Sequence, residues 1–94
     1  MAISFASKVS VPDDVLVSQL QDESVLLNVR TQSYFGLDQI STRCWELLTS
    51  SDSIEDACAA LAQEYDVDAD TLRQDVARLV DTLVERGLLQ VSSP

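Results

Sequence analysis

The spacing of apolar residues changes once along this chain, near Asp38, and that switch predicts an α+β domain with its sheet first and its helices second. Before Asp38 the apolar residues alternate or come in short runs. Ile3, Phe5 and Ser7 alternate with Ser4, Ala6 and Lys8, the two-residue period of a first strand, and Val11-Pro12-Asp13-Asp14 breaks it. Residues 15–21 read as a weaker extended piece. Asp22-Glu23 forms a polar turn before the apolar run of residues 24–29, and residues 30–33 are a polar connection of hairpin length. Tyr34-Phe35-Gly36-Leu37 is the returning strand. Because side chains alternate along a strand, its two rings lie on opposite faces of the sheet.

After Asp38 the period lengthens to that of helices. Asp38 is an N-cap for a first helix with Ile40, Cys44, Leu47 and Leu48 on its apolar side and Trp45 at its flank. Asp52 followed by Glu55 resembles a capping box for a second helix, whose Ile54, Ala57, Cys58 and Leu61 recur at i, i+3, i+4, i+7. Asp68 caps a third helix that runs to about Arg86 and stops at Gly87. Residues 88–91 form a short extended tail placed to return to the sheet as a wing. With 94 residues and 46% hydrophobic side chains, residues 1–94 make one domain around one mainly aliphatic core.

Charge removes whole classes of partner. Sixteen acidic residues against six basic ones give a formal net charge of −10. Each phosphate contact on nucleic acid requires a Lys or Arg, yet Lys8, Arg30, Arg43, Arg73, Arg78 and Arg86 are scattered over the chain and form no stripe. The same field opposes an anionic membrane, and no stretch is long and apolar enough to cross one. The N-terminal MAISFASKVSVPDD has no apolar run behind a basic start, so no signal peptide is expected and the cytoplasm is the default location.

Chemistry is excluded in the same way. There is no His to act as a base or to complete a zinc site, and Gly36 and Gly87 cannot build a phosphate loop. Cys44 and Cys58 lack metal-ligand spacing and fall on the apolar phase of their helices, as small buried hydrophobes do. Asp68, Asp70, Asp75, Asp81 and Glu85 follow a surface helix, where carboxylates serve solvation and the helix dipole. Neither an enzyme nor a cofactor site is expected.

Two features point to binding instead. The returning strand follows a hairpin and precedes a helix, which makes it a candidate sheet edge able to receive a peptide as a further strand. The third helix is also apolar over too wide an arc. Leu72, Val76, Leu79 and Leu83 form a stripe of roughly 60°, and Ala77, Val80 and Val84 widen it to roughly 160°, where a core seam needs about 100°. Either this helix packs under both the sheet and the other helices, or one margin of the stripe faces an open groove.

The string of features has a family likeness. E-x-V-L-L at 23–27, Tyr-Phe-Gly-Leu at 34–37, W-x-L-L at 45–48, Y-D-V at 65–67 and D-V-x-x-L-V-x-x-L-x-x-x-G-L-L at 75–89 together resemble the PqqD-like family, the precursor-recognition elements of ribosomally made, modified peptides. The likeness spans about residues 5–91. It implies a winged helix-turn-helix arrangement, a three-stranded antiparallel sheet packed on three helices. It also implies that a precursor's leader peptide lies between the third strand of that sheet and the third helix. The resemblance assigns the strand side of that cleft to Ser33, Tyr34, Phe35 and Gly36, and the helix side to Asp75, Val76, Leu79 and Val80, with Arg78 beside them. Val76 and Leu79 as plain core, and Asp75 and Arg78 as plain surface, remain alternatives. For a chain of this size the likeness implies the leader-binding subunit of lasso-peptide biosynthesis, working with a leader-cleaving cysteine protease and an ATP-dependent macrolactam synthetase (cyclase). The alternatives are a PqqD-type chaperone for a radical-SAM enzyme, a winged-helix regulator, and an adaptor with no leader ligand.

Overall fold

In the computed structural model, which describes residues 4–92, the chain forms β1 (Lys8–Ser10), β2 (Val15–Leu20), β3 (Glu23–Asn28), β4 (Ser33–Leu37), α1 (Gln39–Ser50), α2 (Ile54–Glu64), α3 (Ala69–Glu85) and β5 (Gln90–Ser92). Strands β2, β3 and β4 make an antiparallel meander in that order, with Leu26 opposite Val17 on one side and Phe35 on the other. The expected α+β class, with three helices and a three-stranded antiparallel sheet, is what forms.

The ends of the chain depart from expectation. Ile3 lies outside the described residues, and residues 4–7 form a turn rather than a strand, closed by the Ser7 N–H donating to the Ser4 carbonyl at 3.0 Å. The carbonyls of Phe5 and Ser7 accept from the N–H groups of Glu55 and Ile54 at 2.8 and 2.9 Å. The first N–H groups of a helix have no partner within it, so this turn satisfies the start of α2. The extended tail does not rejoin the main sheet either. Its β5 pairs with β1 in a separate two-stranded ribbon, Val9 facing Val91.

Two caps form as expected and one is displaced. The Asp38 and Asp68 carboxylates accept from the N–H groups of Ser41 and Thr71 at 2.8 and 3.0 Å. For α2 the cap is Ser53, whose Oγ accepts from Asp56 N–H at 3.1 Å, and not Asp52. Glu55 is thereby free to pair with Arg73 on α3. At the end of α3, Leu88 N–H reaches back to the Leu83 carbonyl and Gly87 N–H to that of Val84. That paired pattern requires the left-handed backbone which Gly87 adopts at φ 73°.

Val9, Leu26, Leu48, Ile54, Leu61, Val76, Val80, Leu83, Leu88 and Leu89 are the most deeply buried of the larger core residues. On α1 the buried face is Thr42, Cys44, Trp45 and Leu48. Trp45 is core rather than flank, and Ile40, in the first turn, is exposed. It is α1 that packs on β3 and β4, while α3 packs mainly on α2. The long helix is therefore held beside the sheet rather than flat upon it.

Asn28 joins these parts. Its side chain is buried; Nδ2 donates to the Gly87 carbonyl at 2.8 Å, and Oδ1 accepts from the N–H groups of Arg30 and Thr31 at 3.0 and 3.1 Å. Losing three such bonds at a buried site costs about 2 kcal/mol or more. Asn28→Ala is expected to lower the urea midpoint accordingly, with the slope of the transition unchanged. Gly87→Ala is expected to cost about 1–2 kcal/mol, because a side chain is disfavoured at that positive φ and the new Cβ would lie 3.3 Å from Asn28 Nδ2.

Candidate functional site

Strand β4 is hydrogen-bonded to β3 on one side only; among the described residues nothing pairs with its other edge. Which of its backbone groups face outward follows from two bonds at the strand ends. Val29 N–H donates to the Asp14 carbonyl, and Gln32 N–H donates to the Asn28 carbonyl. In an antiparallel ladder the bonded partners of successive residues alternate between the two sides. Continuing from Val29, Leu27 and Val25 turn their backbone groups to β2, and Asn28, Leu26 and Ser24 turn theirs to β4. By the register, Ser33, Phe35 and Leu37 receive those bonds. Tyr34 and Gly36 are left with N–H and C=O directed to the open edge.

The side chains divide the other way. Phe35 is on the helix side, opposite Leu26, and packs against the core, whereas Tyr34 is 70% exposed on the outer face. Phe35 is thus the ring that faces the cleft. Thr42 steadies the end of the strand: its Oγ1 donates to the Leu37 carbonyl at 3.3 Å and lies 2.9 Å from Ser24 Oγ.

Where β4 ends, a cavity of about 370 Å³ opens between the start of α1, the end of α2 and the middle of α3. Its apolar walls are Ile40, Cys44, Leu61, Tyr65, Val67, Leu72, Val76 and Leu79; Asp38, Asp75 and Arg78 stand among them. Asp75, Val76, Arg78 and Leu79, singled out from the family pattern, therefore come together on one wall. Val80 does not. It is fully buried, does not line the cavity, and belongs to the core with Leu83. Along the apolar stripe of α3, Val76, Val80 and Leu83 are buried and Leu72 and Leu79 are half-buried at the cavity; of the residues that widen the stripe, Ala77 is half-buried and Val84 exposed, both away from the cavity.

Charge is unevenly placed along this groove. Asp75 and Arg78 are largely exposed and pair at 3.5 Å. At the opposite end the Arg86 guanidinium lies over the Phe35 ring, 5.3 Å from its centre. Arg86 and the cavity-lining Ile40, Tyr65, Val67 and Leu72 were not among the expected site residues. The only sequence signal for Arg86 is its position seven residues after Leu79, two helical turns along the same face.

Cys44 is a neutral wall element. Burial pushes its thiol up to about 11, and burial raises Cys58 as well. Both are free thiols. Among the described residues no group of His, Cys, Asp and Glu is placed to hold a metal ion, and no helix is long and apolar enough to cross a membrane.

Comparison with known proteins gives a family and a fold. The model of the family described as coenzyme PQQ synthesis protein D (PqqD) matches residues 23–89. A structure described as TbiB1 in complex with the TbiA(beta) leader peptide is similar at 33% identity and a TM-score of 0.82, covering 90% of this chain and 99% of that one. A lasso peptide synthetase B1 complexed with the leader peptide is similar at 26% identity and a TM-score of 0.79, covering 88% and 98%. A search of curated protein sequences finds no match.

A thiol held neutral in the fold supports stability below the pH at which the unfolded thiol ionises, and that support is lost as pH rises through the folded value. The Cys44 contribution should accordingly fade between about pH 9 and about 11. Cys44→Ala is expected to flatten that part of the alkaline slope in urea unfolding. At pH 8 native protein should be alkylated at least about tenfold more slowly than protein unfolded in urea.

Proposed function

Because the chain belongs to the PqqD family, we propose that it binds the leader segment of a ribosomally synthesised precursor peptide as a strand added to β4, and presents that segment to modifying enzymes. The observation that carries this reading is the unpaired edge of β4 lying beside the apolar cavity of α3. It is supported by the two similar proteins, both solved with leader peptides and matched over nearly their whole length. Main-chain bonds to Tyr34 and Gly36 supply sequence-independent affinity, and the cavity supplies choice among side chains.

On this reading the domain has no chemistry of its own. Both thiols are buried, and burial holds them neutral. Its work is to raise the local concentration of precursor at its partners. The lasso-type likeness favours a leader-cleaving cysteine protease and an ATP-dependent macrolactam synthetase as those partners. It favours them over the radical-SAM enzyme served by a PqqD-type chaperone. A DNA-reading role is disfavoured by α3, which carries Asp70, Asp75 and Asp81 against Arg73 and Arg78, both already ion-paired.

The test is titration of the fluorescently labelled leader of the precursor encoded beside this chain. Binding is expected without ATP or metal. Leu79→Glu should weaken it at least about tenfold with little change in the urea midpoint, because a charge enters an apolar wall that is only half-buried. Val80→Asp should unfold the domain instead. Amide exchange followed by NMR supplies the geometric check. Phe35 and Leu37 N–H should be protected in the free protein, and Tyr34 and Gly36 N–H should gain protection only when the peptide is present. Absence of binding at tens of micromolar, or protection that appears elsewhere, would exclude strand addition at this edge.

A further inference from the structure

We infer that Arg86 is a specificity-determining residue of the groove: it selects a carboxylate side chain on the guest strand, two residues away from the apolar side chain that enters the cavity. This rests on the strand-addition reading above and states what the guest must carry.

The inference begins with the ion pairs. The chain has five arginines in a molecule of net charge −10. Four are paired: Arg30 with Asp14, Arg43 with Glu46 and Glu64, Arg73 with Glu55, and Arg78 with Asp75. Among the described residues, Arg86 has no carboxylate partner. Its guanidinium instead lies over Phe35, the one β4 aromatic that faces the cleft. A guanidinium resting on a ring is held by its face while its N–H edge stays available, so the fork that grips a carboxylate with two parallel bonds is already oriented. The backbone beneath it is also fixed. Arg86 caps α3 and donates its N–H to the Thr82 carbonyl at 3.2 Å, and Gly87 beyond it is tied to Asn28.

Strand geometry then places the partner. Side chains directly opposite in adjacent strands share a face of the sheet. A guest residue opposite Phe35 therefore points to the helix side, beside Arg86. The guest residue opposite Leu37, two positions along and on the same face, points towards the cavity, where β4 gives way to Asp38 and Ile40. Asp38 lines that second end together with the Asp75–Arg78 pair, so the one cation there is already engaged and a carboxylate meets Asp38 without a free partner. The groove thus reads an acidic and an apolar residue two positions apart on one face of the guest, and its unequal ends fix the register of the guest.

The experiment is a double-mutant cycle with the same labelled leader peptide. Each Asp or Glu of the peptide is changed singly to Asn or Gln and titrated against wild type and Arg86→Gln. Arg86 is exposed at a helix end, so the variant is expected to keep its urea midpoint. Arg86→Gln should weaken the wild-type peptide about tenfold, the size of a charge-assisted pair. One peptide substitution should weaken binding to wild type by a similar factor and change nothing further in Arg86→Gln. Arg86→Glu should be rescued by Lys at that peptide position. If every substitution weakens both proteins equally, Arg86 only braces Phe35 and the inference falls, while strand addition stands. If Arg86→Gln binds as tightly as wild type, it falls likewise. If the wild-type pair does not bind at all, the proposed function fails first.

Discussion

The hydrogen bonds of Asn28 tie the sheet to the end of α3, and the placing of β4 beside that helix depends on them. One buried side chain holds the β3–β4 connection through Arg30 and Thr31 and the end of α3 through Gly87. At the other end of β4, Thr42 bridges Ser24 and the Leu37 carbonyl, which fastens the strand to α1. Between these two clasps β4 and α3 are held near each other without being packed together. A buried amide left unpaired is costly, so neither clasp opens easily. The open edge is thus anchored at both ends by side-chain hydrogen bonds, which favours a groove formed before any guest arrives. Preorganisation of this kind spares the ordering cost that would otherwise be subtracted from affinity.

What holds α3 away from β4 is where its apolar residues face. Val76, Val80 and Leu83 are buried in the core, while Leu72 and Leu79 are left at the cavity. One helix therefore does two jobs with adjacent margins of a single stripe. A narrower stripe would have filled the core and left a polar wall. A helix laid flat on the sheet would have covered Phe35 and left no gap beside the edge.

The parts of this arrangement governed by local rules are legible in the sequence. Asp38 and Asp68 announce their helices by cap chemistry, Gly87 announces the end of α3, and the i, i+3, i+4, i+7 run of α2 is buried as its spacing implies. The hairpin that makes β4 an edge is visible from a polar connection between two apolar runs. What is not legible depends on contacts distant in sequence. The turn at residues 4–7 forms because α2 needs acceptors, and β1 finds β5 across the whole chain. Ser53 displaces Asp52 as a cap within a loop where both have suitable chemistry. Val80 and Leu79 are neighbours on one stripe, and only the packing of α3 on α2 decides that the first is core and the second is wall. Arg86 gives the least warning. Its meaning comes from Phe35, a residue 51 positions earlier (86 − 35), which the fold brings beneath it.

An exposed edge is also a hazard, since it can pair with another copy of itself. Here the strand is short, five residues from Ser33 to Leu37, and the molecule carries a net charge of −10 that opposes association of like copies. The same charge bears on partner choice. Four of the five arginines are paired with carboxylates, and the remaining acidic surplus favours guests with basic flanks. Against that background Arg86 is a local exception, and an exception of opposite sign is what gives a groove a register. Uniform charge would attract a strand without telling it where to stop. An oriented cation with no carboxylate partner at one end, with Asp38, the Asp75–Arg78 pair and an apolar cavity at the other, makes one alignment better than a shift of two residues in either direction. An odd shift is already excluded, because it would turn the guest's side chains to the wrong face.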